Sequence, residues 1–141
     1  MVKYPTGTKR PKAKRNSKAK RKSKFNNRHV VIDGIEFDSQ LEGNYYLHIK
    51  ALKLDFKYHE SFEILPKFSL SGKNYQHRIY TPDFTIYSKG ELVSVIDCKG
   101  GNATITADSR LRMVMFMEKY RVPVVIAKWD AKAKVFHEEI K

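Results

Sequence analysis

The feature that most constrains the fold is a nearly unbroken apolar run, Leu92–Ile96, which ends in Asp97-Cys98-Lys99. Such a run is typical of a β-strand that is covered on both faces. The preceding segment His77–Tyr87 is also strand-like, and Ser88-Lys89-Gly90 supplies turn residues between the two. The pattern therefore predicts a hairpin whose second strand, Leu92–Lys99, is buried and carries charged side chains at its end.

The turn of this hairpin decides which residues of the two strands face each other. Side chains two apart on a strand share a face, which places Asp97 with Val93 and Val95. A two-residue loop would set Asp83 opposite Ile96, and a three-residue loop would set it opposite Asp97, with Cβ atoms about 5 Å apart. We predict the second register, or a bulge that achieves it.

Two facing carboxylates in a covered strand pair repel each other and lose hydration, so the arrangement calls for a cation between them. Oxygen ligands favour a hard cation, Mg²⁺ or Mn²⁺. The alternative is structural: Pro82-Asp83 opens a strand, and Asp97 and Lys99 form an ion pair.

The charge of the chain is concentrated at its N-terminus. The 141 residues hold 28 Lys and Arg against 15 Asp and Glu, a net charge of +13. Residues 1–29 contain twelve of the basic residues and no acidic one, so the remainder is close to neutral. We therefore predict a disordered basic arm, residues 1–28, followed by one domain, residues 29–141.

Such an arm binds polyphosphate by releasing counterions, and it does not distinguish RNA from DNA. A solubility or targeting tail is the alternative. The candidate nucleic-acid contacts in the arm are Lys9, Arg10, Lys12, Lys14, Arg15, Lys18, Lys20, Arg21, Lys22 and Lys24.

Several classes of protein are disfavoured. The single cysteine, Cys98, excludes an intramolecular disulfide and a zinc finger, and suits a reducing compartment. No apolar stretch has the length of a membrane span, and neither a secretory signal nor a glycine-rich nucleotide loop is present. The five histidines have no zinc-ligand spacing. We expect a soluble, cytoplasmic protein.

The first half of the domain is predicted as a hairpin, a helix and a strand region. Asp33-Gly34 is a turn dipeptide between two short apolar segments. Asp38 or Ser39 offers an N-cap for a helix over Ser39–Leu54, with an apolar face of Leu41, Tyr45, Ile49 and Leu52. Phe56–Leu70 is strand-like, and Pro66 indicates an edge or a bulge within it.

Two residue groups on the predicted helices are candidates for function. Glu42 borders the apolar face of the first helix and points along the seam between helix and sheet, although a first-turn acid is also favoured there by the helix dipole. A second helix, from Thr106 or Asp108 to about Tyr120, is apolar over most of its circumference and should be buried. Near its start, Arg110 and Arg112 are either phosphate contacts or solvated residues.

The end of the chain completes the predicted order α-β-β-β-α-β. A glycine loop at 100–102 follows the acidic strand, and Val122–Trp129 forms a further strand. A strand, helix, strand crossover makes this strand parallel to Leu92–Lys99. Ligands of such sheets bind beyond the carboxyl ends of the strands, where Asp97 and Lys99 lie. Ala131–Lys141 is a terminal strand or helix.

Through Glu42, Pro82-Asp83 and Asp97-Cys98-Lys99, placed in this order, the chain resembles the PD-(D/E)XK nuclease superfamily over about Ile35–Trp129. It also looks like a small phage and prophage family within it, often grouped with Holliday-junction resolvases. That likeness rests on Asp33–Ser39, Pro66–Leu70, Asp83-Phe84 and Asp97–Gly100. Cys98 is a departure, since many members have an aliphatic residue there.

The resemblance implies an α/β, restriction-endonuclease-like core: a mixed sheet with helices on both faces. It implies catalytic roles for Glu42, Asp83, Asp97 and Lys99. Asp83, Asp97 and the Cys98 backbone carbonyl would bind Mg²⁺ or Mn²⁺, and Glu42 would complete the shell. Lys99 would orient or deprotonate the attacking water and stabilise the phosphorane.

The expected function is Mg²⁺-dependent endonucleolytic hydrolysis of DNA. The family resemblance alone favours branched DNA, and with it a homodimer, because two strands must be cut. Two alternatives stay open: a non-catalytic DNA-binding or packaging protein on the same fold, and a basic RNA-binding module.

Overall fold

A computed structural model describes residues 28–100 and 105–141. The basic residues at positions 3–24 and the predicted glycine loop at Gly101 and Asn102 lie outside the described residues.

The described chain forms two helices and eleven strands. The helices are α1 (Gln40–Ala51) and α2 (Ala107–Tyr120). The strands are β1 (Val30–Ile32), β2 (Ile35–Phe37), β3 (Asp55–Tyr58), β4 (Phe62–Leu65), β5 (Phe68–Leu70), β6 (Lys73–Tyr75), β7 (Arg78–Tyr80), β8 (Phe84–Ser88), β9 (Glu91–Gly100), β10 (Val124–Asp130) and β11 (Val135–Ile140). No helix within this part of the chain is both long and apolar enough to cross a membrane.

A five-stranded mixed sheet organises the fold, in the order β11-β10-β9-β8-β3. β9 and β10 are parallel, as predicted, and the other neighbours are antiparallel. Along the chain, α1, β3, β8, β9, α2 and β10 follow the predicted α-β-β-β-α-β order, with β4–β7 inserted between β3 and β8. The mixed α/β class is therefore confirmed.

The two helices cover opposite faces of this sheet, because alternate residues of β9 belong to different core clusters. Ile96 and Cys98 pack with Tyr45 and Ile49 of α1. Val95 packs with Phe116 of α2. Both faces of β9 are covered, which is what its continuous apolar run requires.

Local signals correctly predicted the first elements of the domain. Asp33 and Gly34 make the turn between β1 and β2, with φ values of 52° and 78°. Ser39 caps α1, and its hydroxyl accepts the Glu42 N–H at 3.2 Å. The helix ends at Ala51, three residues earlier than predicted, and Leu52 is 57% exposed, so its assignment to the apolar face is wrong.

The predicted strand His77–Tyr87 is in fact two strands in different sheets. β7 pairs with β4, whereas β8 pairs with β9 and β3. The break falls at Thr81-Pro82-Asp83, where buried Pro82 has no N–H to donate to a ladder. The strand-like segment Phe56–Leu70 is likewise divided, among β3, β4 and β5.

The register between β8 and β9 is the predicted one, and a bulge achieves it. The loop is the two-residue Lys89-Gly90, since Ser88 pairs with Glu91. The ladder then passes from Tyr87–Leu92 to Ile86–Ser94, which leaves Val93 as the extra residue. The bulge also corrects the predicted faces: Leu92, and not Val93, packs with the α2 cluster, and Val93 is 43% exposed.

The prediction that α2 is largely buried is wrong. Met113 and Phe116 are its buried residues, while Leu111 is 59% exposed and Val114 is 51% exposed. The start and end of the helix are as predicted, with Thr106 as its N-cap.

Deletion of Val93 should leave the fold and the β8–β9 register intact. Without the extra residue, a regular ladder pairs Tyr87 with Leu92 and Ile86 with Ser94, so nothing beyond the bulge moves. Thermal unfolding should show a change in stability of about 1 kcal/mol or less. Loss of the cooperative transition would contradict this interpretation of the bulge.

Candidate metal centre

Acidic side chains from three separate elements converge at the end of β9. Phe84 pairs with Ile96, so Asp83 and Asp97, their neighbours at the end of the ladder, lie side by side. Glu42, in the first turn of α1, is close enough that its charge affects both aspartates. Lys99 also acts on both, with the opposite sign. The four predicted catalytic residues therefore form one group.

Glu42 is held by the helix start and by β3. The hydroxyl of Ser39 donates to Oε1 of Glu42 at 3.3 Å and accepts the Glu42 N–H at 3.2 Å, so the N-cap residue holds both the backbone and the side chain of Glu42. Oε2 accepts a hydrogen bond from the Tyr58 hydroxyl. The side chain is only 13% exposed, so these contacts orient it along the seam between helix and sheet, as predicted.

Asp83 is a buried carboxylate with one backbone donor. Its Oδ2 accepts the Cys98 N–H at 2.7 Å, and its side chain is 19% exposed. Burial, together with the charges of Asp97 and Glu42, raises the pKa of Asp83 to about 8, although the Cys98 N–H and Lys99 act to lower it. In the protein without a cation, Asp83 is therefore protonated through most of the neutral range.

Asp97 lies deeper, on the face of the sheet covered by α2. The residue is 6% exposed and accepts a hydrogen bond from the Tyr80 hydroxyl. Burial raises its pKa, and the Tyr80 hydrogen bond and the Lys99 charge only partly offset this. Tyr80 is the last residue of β7, so the inserted strands β4 and β7 help to position the site.

His59 is a site residue that the sequence interpretation missed. Its Nε2 lies 3.4 Å from Oε2 of Glu42 and 4.0 Å from Oδ1 of Asp83. Its Nδ1 lies 3.7 Å from Oδ2 of Asp38, and Asp38, Glu42 and His59 together place ligand atoms within 4.8 Å of one another.

The position of His59 follows from a turn that no local sequence signal predicts. Its φ is +54°, in the left-handed region, its N–H donates to the Asp83 carbonyl at 3.1 Å, and its ring stacks on Tyr58 at 3.8 Å. A search for zinc-ligand spacing along the chain could not predict this contact, because the partners of His59 are Glu42 on α1 and Asp83 just before β8. The only local signal is a histidine directly after a strand.

Glu42, Asp83 and Asp97 carry carboxylate oxygens, the ligands that Mg²⁺ and Mn²⁺ prefer. Binding of either cation by these three residues stays a prediction, since the ligand atoms within 4.8 Å of one another belong to Asp38, Glu42 and His59. Burial is the largest cause of the raised pKa of Asp83, and the charges of Asp97 and Glu42 add to it. A divalent cation bound beside Asp83 and Asp97 would favour their ionised forms. The predicted participation of the Cys98 carbonyl stays a prediction.

Other predicted residues lie outside this group. The Cys98 side chain is buried in the α1 cluster, and burial raises the pKa of its thiol, so it acts as a small hydrophobe. Arg110 is exposed on α2. Arg112 donates to the Ile79 carbonyl at 2.6 Å and pairs with Asp108 at 2.9 Å, which ties α2 to β7. Phosphate binding by Arg110 and Arg112 stays a prediction.

Residues 22–138 match a protein family described as "Protein of unknown function (DUF1064)". No curated protein and no solved structure matches the chain.

The Asp83→Asn variant should be more stable than the wild type at pH 8 when no divalent cation is present. The folded-state pKa of Asp83 lies above its value of 3.8 in an unfolded chain, so rising pH removes a proton from the unfolded state first and destabilises the fold between about pH 4 and 8. Asparagine stays neutral and still accepts the Cys98 N–H. Denaturant unfolding in EDTA should show a gain in the free energy of unfolding of up to about 5 kcal/mol at pH 8, and little difference near pH 4.

The control is Glu91→Gln, an exposed carboxylate at the other end of β9. Parallel pH profiles for the wild type and Asp83→Asn would show that the carboxylates do not repel as described.

Proposed function

We propose that this chain, which belongs to the DUF1064 family of proteins of unknown function, is a Mg²⁺-dependent DNA endonuclease. Its proposed fold is a PD-(D/E)XK-type, restriction-endonuclease-like core. One observation carries the proposal. Glu42 on α1 and Asp83 before β8 both approach His59, at 3.4 and 4.0 Å from its Nε2. Asp97, followed by Lys99, lies beside Asp83 at the end of β9, although these elements are far apart in the chain.

The order of elements also supports this proposal. The acids occupy α1 and two adjacent antiparallel strands, and β9 then continues through α2 into the parallel strand β10. This is the α-β-β-β-α-β arrangement that the resemblance to PD-(D/E)XK nucleases implies. The insertion β4–β7 lies between the first two strands of that core.

The proposed reaction is hydrolysis of a DNA phosphodiester: the oxygen of water bonds to phosphorus, one P–O ester bond breaks, and the leaving oxygen takes up a proton. Glu42, Asp83 and Asp97 would hold a divalent cation, whose charge would polarise a phosphoryl oxygen and acidify water when it is bound. Hydroxide is scarce at neutral pH and the substrate is an anion, so both effects are needed. The hydrogen bonds to the carboxylates from Tyr58, Tyr80 and the Cys98 N–H fix the cation site before substrate arrives.

Lys99 supplies the nearby positive charge from the protein itself. It lies at the open end of β9, half-buried, next to the two aspartates. From there its ammonium group orients the attacking water and donates hydrogen bonds to the phosphorane oxygens as negative charge develops on them.

The substrate and assembly follow from the resemblance rather than from the geometry. Branched DNA is the proposed substrate, and a homodimer would place two sites for cutting two strands. The basic residues 1–28 would tether the enzyme to DNA through phosphates, which adds affinity without sequence preference.

Purified protein should cleave DNA in the presence of Mg²⁺ and not in EDTA. Four-way junction, linear duplex and single-stranded substrates should be compared by gel, with the junction cut fastest. Asp97→Asn and Lys99→Ala should each lower the rate by 100-fold or more, of the order seen when one charge-stabilising group is removed from an active site. Glu91→Gln, on the same strand, should keep full activity.

Binding of all three DNAs without metal-dependent cleavage would contradict the nuclease proposal and favour a non-catalytic DNA-binding protein. Binding of RNA in preference to each DNA would favour the RNA-binding alternative.

Deletion of residues 1–28 should weaken DNA binding and flatten its salt dependence. Each phosphate contact that is lost lowers the slope of log K against log salt by about 0.9 on duplex DNA. Fluorescence anisotropy at several NaCl concentrations measures that slope. Retained affinity and slope in the truncated protein would contradict the role assigned to the arm.

A further inference from the structure

The hairpin formed by β5 and β6 has no part in the metal centre. The two strands pair only with each other, within the described residues. Every residue from Pro66 to Ile79 is exposed, and none belongs to either core cluster. An isolated two-stranded hairpin is marginally stable in water, so an exposed one needs its own cross-strand contacts.

The main cross-strand contact of this hairpin is an aromatic pair. Phe68 and Tyr75 face each other in the ladder, and their rings stack with centroids 4.8 Å apart at 11°. Phe68 is 43% exposed and Tyr75 is 41% exposed, so each ring still presents surface to solvent. Aromatic faces left open in this way are the surfaces on which unpaired nucleobases stack.

The charge of the surrounding segment has one sign. Between Ile64 and Pro82 the chain contains Lys67, Lys73 and Arg78 and no acidic residue. This contrasts with the near balance of charge in the rest of the domain. A concave surface on the hairpin is lined by Lys67, Phe68, Ser69, Asn74, Tyr75 and Gln76, so cationic and amide groups border the stacked rings.

The hairpin is also directly connected to the metal centre. β7 follows it, and its last residue, Tyr80, donates the hydrogen bond to Asp97. Tyr75 is eight residues from Asp83, so the two are at most about 29 Å apart along an extended chain. The hairpin therefore lies within about 29 Å of the proposed metal centre.

We propose that the β5–β6 hairpin is a second DNA contact, at which an unpaired base of a branched substrate stacks on the Phe68–Tyr75 pair. Lys67, Lys73 and Arg78 bind the flanking phosphates. The inference rests on the proposed function for its substrate. The charge of the hairpin favours DNA over a second copy of the chain as its partner. A symmetric contact between two copies would place the three cationic side chains of one hairpin against the same three of the other.

The test separates binding from cleavage by using the full chain with Asp97→Asn, in EDTA. The probe is a fluorescein-labelled four-way junction with 2-aminopurine at the branch point. Excess unlabelled linear duplex occupies the basic residues 1–28, so the remaining signal reports junction-specific contacts.

One variant removes the rings and keeps apolar side chains, Phe68→Leu with Tyr75→Leu. It should weaken junction binding about 5- to 150-fold, the range for loss of one stacked base, and abolish the change in 2-aminopurine fluorescence. Linear duplex affinity, measured separately, should stay within about twofold.

A second variant keeps the rings and neutralises the charges: Lys67→Gln, Lys73→Gln and Arg78→Gln. The slope of log K against log salt should fall by about 2 to 3 for the junction. The matched control is Lys53→Gln, Lys132→Gln and Lys134→Gln, three exposed lysines elsewhere, with an unchanged slope. This variant keeps the test valid should the leucine variant lose the hairpin.

Unchanged junction binding in both hairpin variants would overturn the inference, whether or not the wild type cleaves DNA. The inference would also be overturned if the leucine variant changed only self-association, measured by sedimentation, because the rings would then contact a second copy of the chain. Absence of cleavage by the wild type, with the expected losses of binding, would overturn the nuclease proposal and leave the hairpin contact standing.

Discussion

The burial of neighbouring carboxylates at the end of β9 is the constraint on which the proposed site depends. Asp97 and Asp83 lie side by side in a covered strand pair, and Glu42 approaches from the first helix. Several kcal/mol of desolvation attend each buried ion, and like charges add to that cost. A fold that keeps this arrangement loses stability, and residues that cost stability in this way cluster at functional sites.

Hydrogen bonds from neighbouring elements fix these three side chains. Ser39 and Tyr58 hold Glu42, the Cys98 N–H holds Asp83, and Tyr80 holds Asp97. The bulge in β9 sets the register that brings the aspartates together. The break before β8 ends one ladder and starts another, which frees the Asp83 side chain to accept a backbone N–H from the neighbouring strand.

Features encoded within a few residues were predictable from the sequence. Asp33-Gly34 marked the first hairpin, and the choice of Asp38 or Ser39 as N-cap marked the start of α1 to within one residue. The apolar run of β9 favoured a covered strand, and the register was predicted because a cation between the facing acids would give them a role. The convergence of the site thus followed from strand periodicity combined with a chemical argument.

Features decided by distant partners were not predictable. Leu111 and Val114 have the apolarity of core residues, yet α2 has no partner on that side within the described chain, and they are exposed. The segment His77–Tyr87 is interrupted at Pro82, but the sequence did not indicate that the parts before and after it pair with different strands. His59 reaches the site because Glu42 and Asp83 are brought to it by other elements, so no spacing along the chain could reveal it.

The most direct measurement is anomalous diffraction from crystals of the full chain grown with Mn²⁺. We expect one strong anomalous peak within coordination distance, about 2.2 Å, of carboxylate oxygens from Glu42, Asp83 and Asp97, and we expect it to vanish in Asp97→Asn. A peak held by Asp38 and His59 without the two central aspartates, or no peak at all with the carboxylates unchanged in position, would contradict the assignment of this site as a divalent-cation centre.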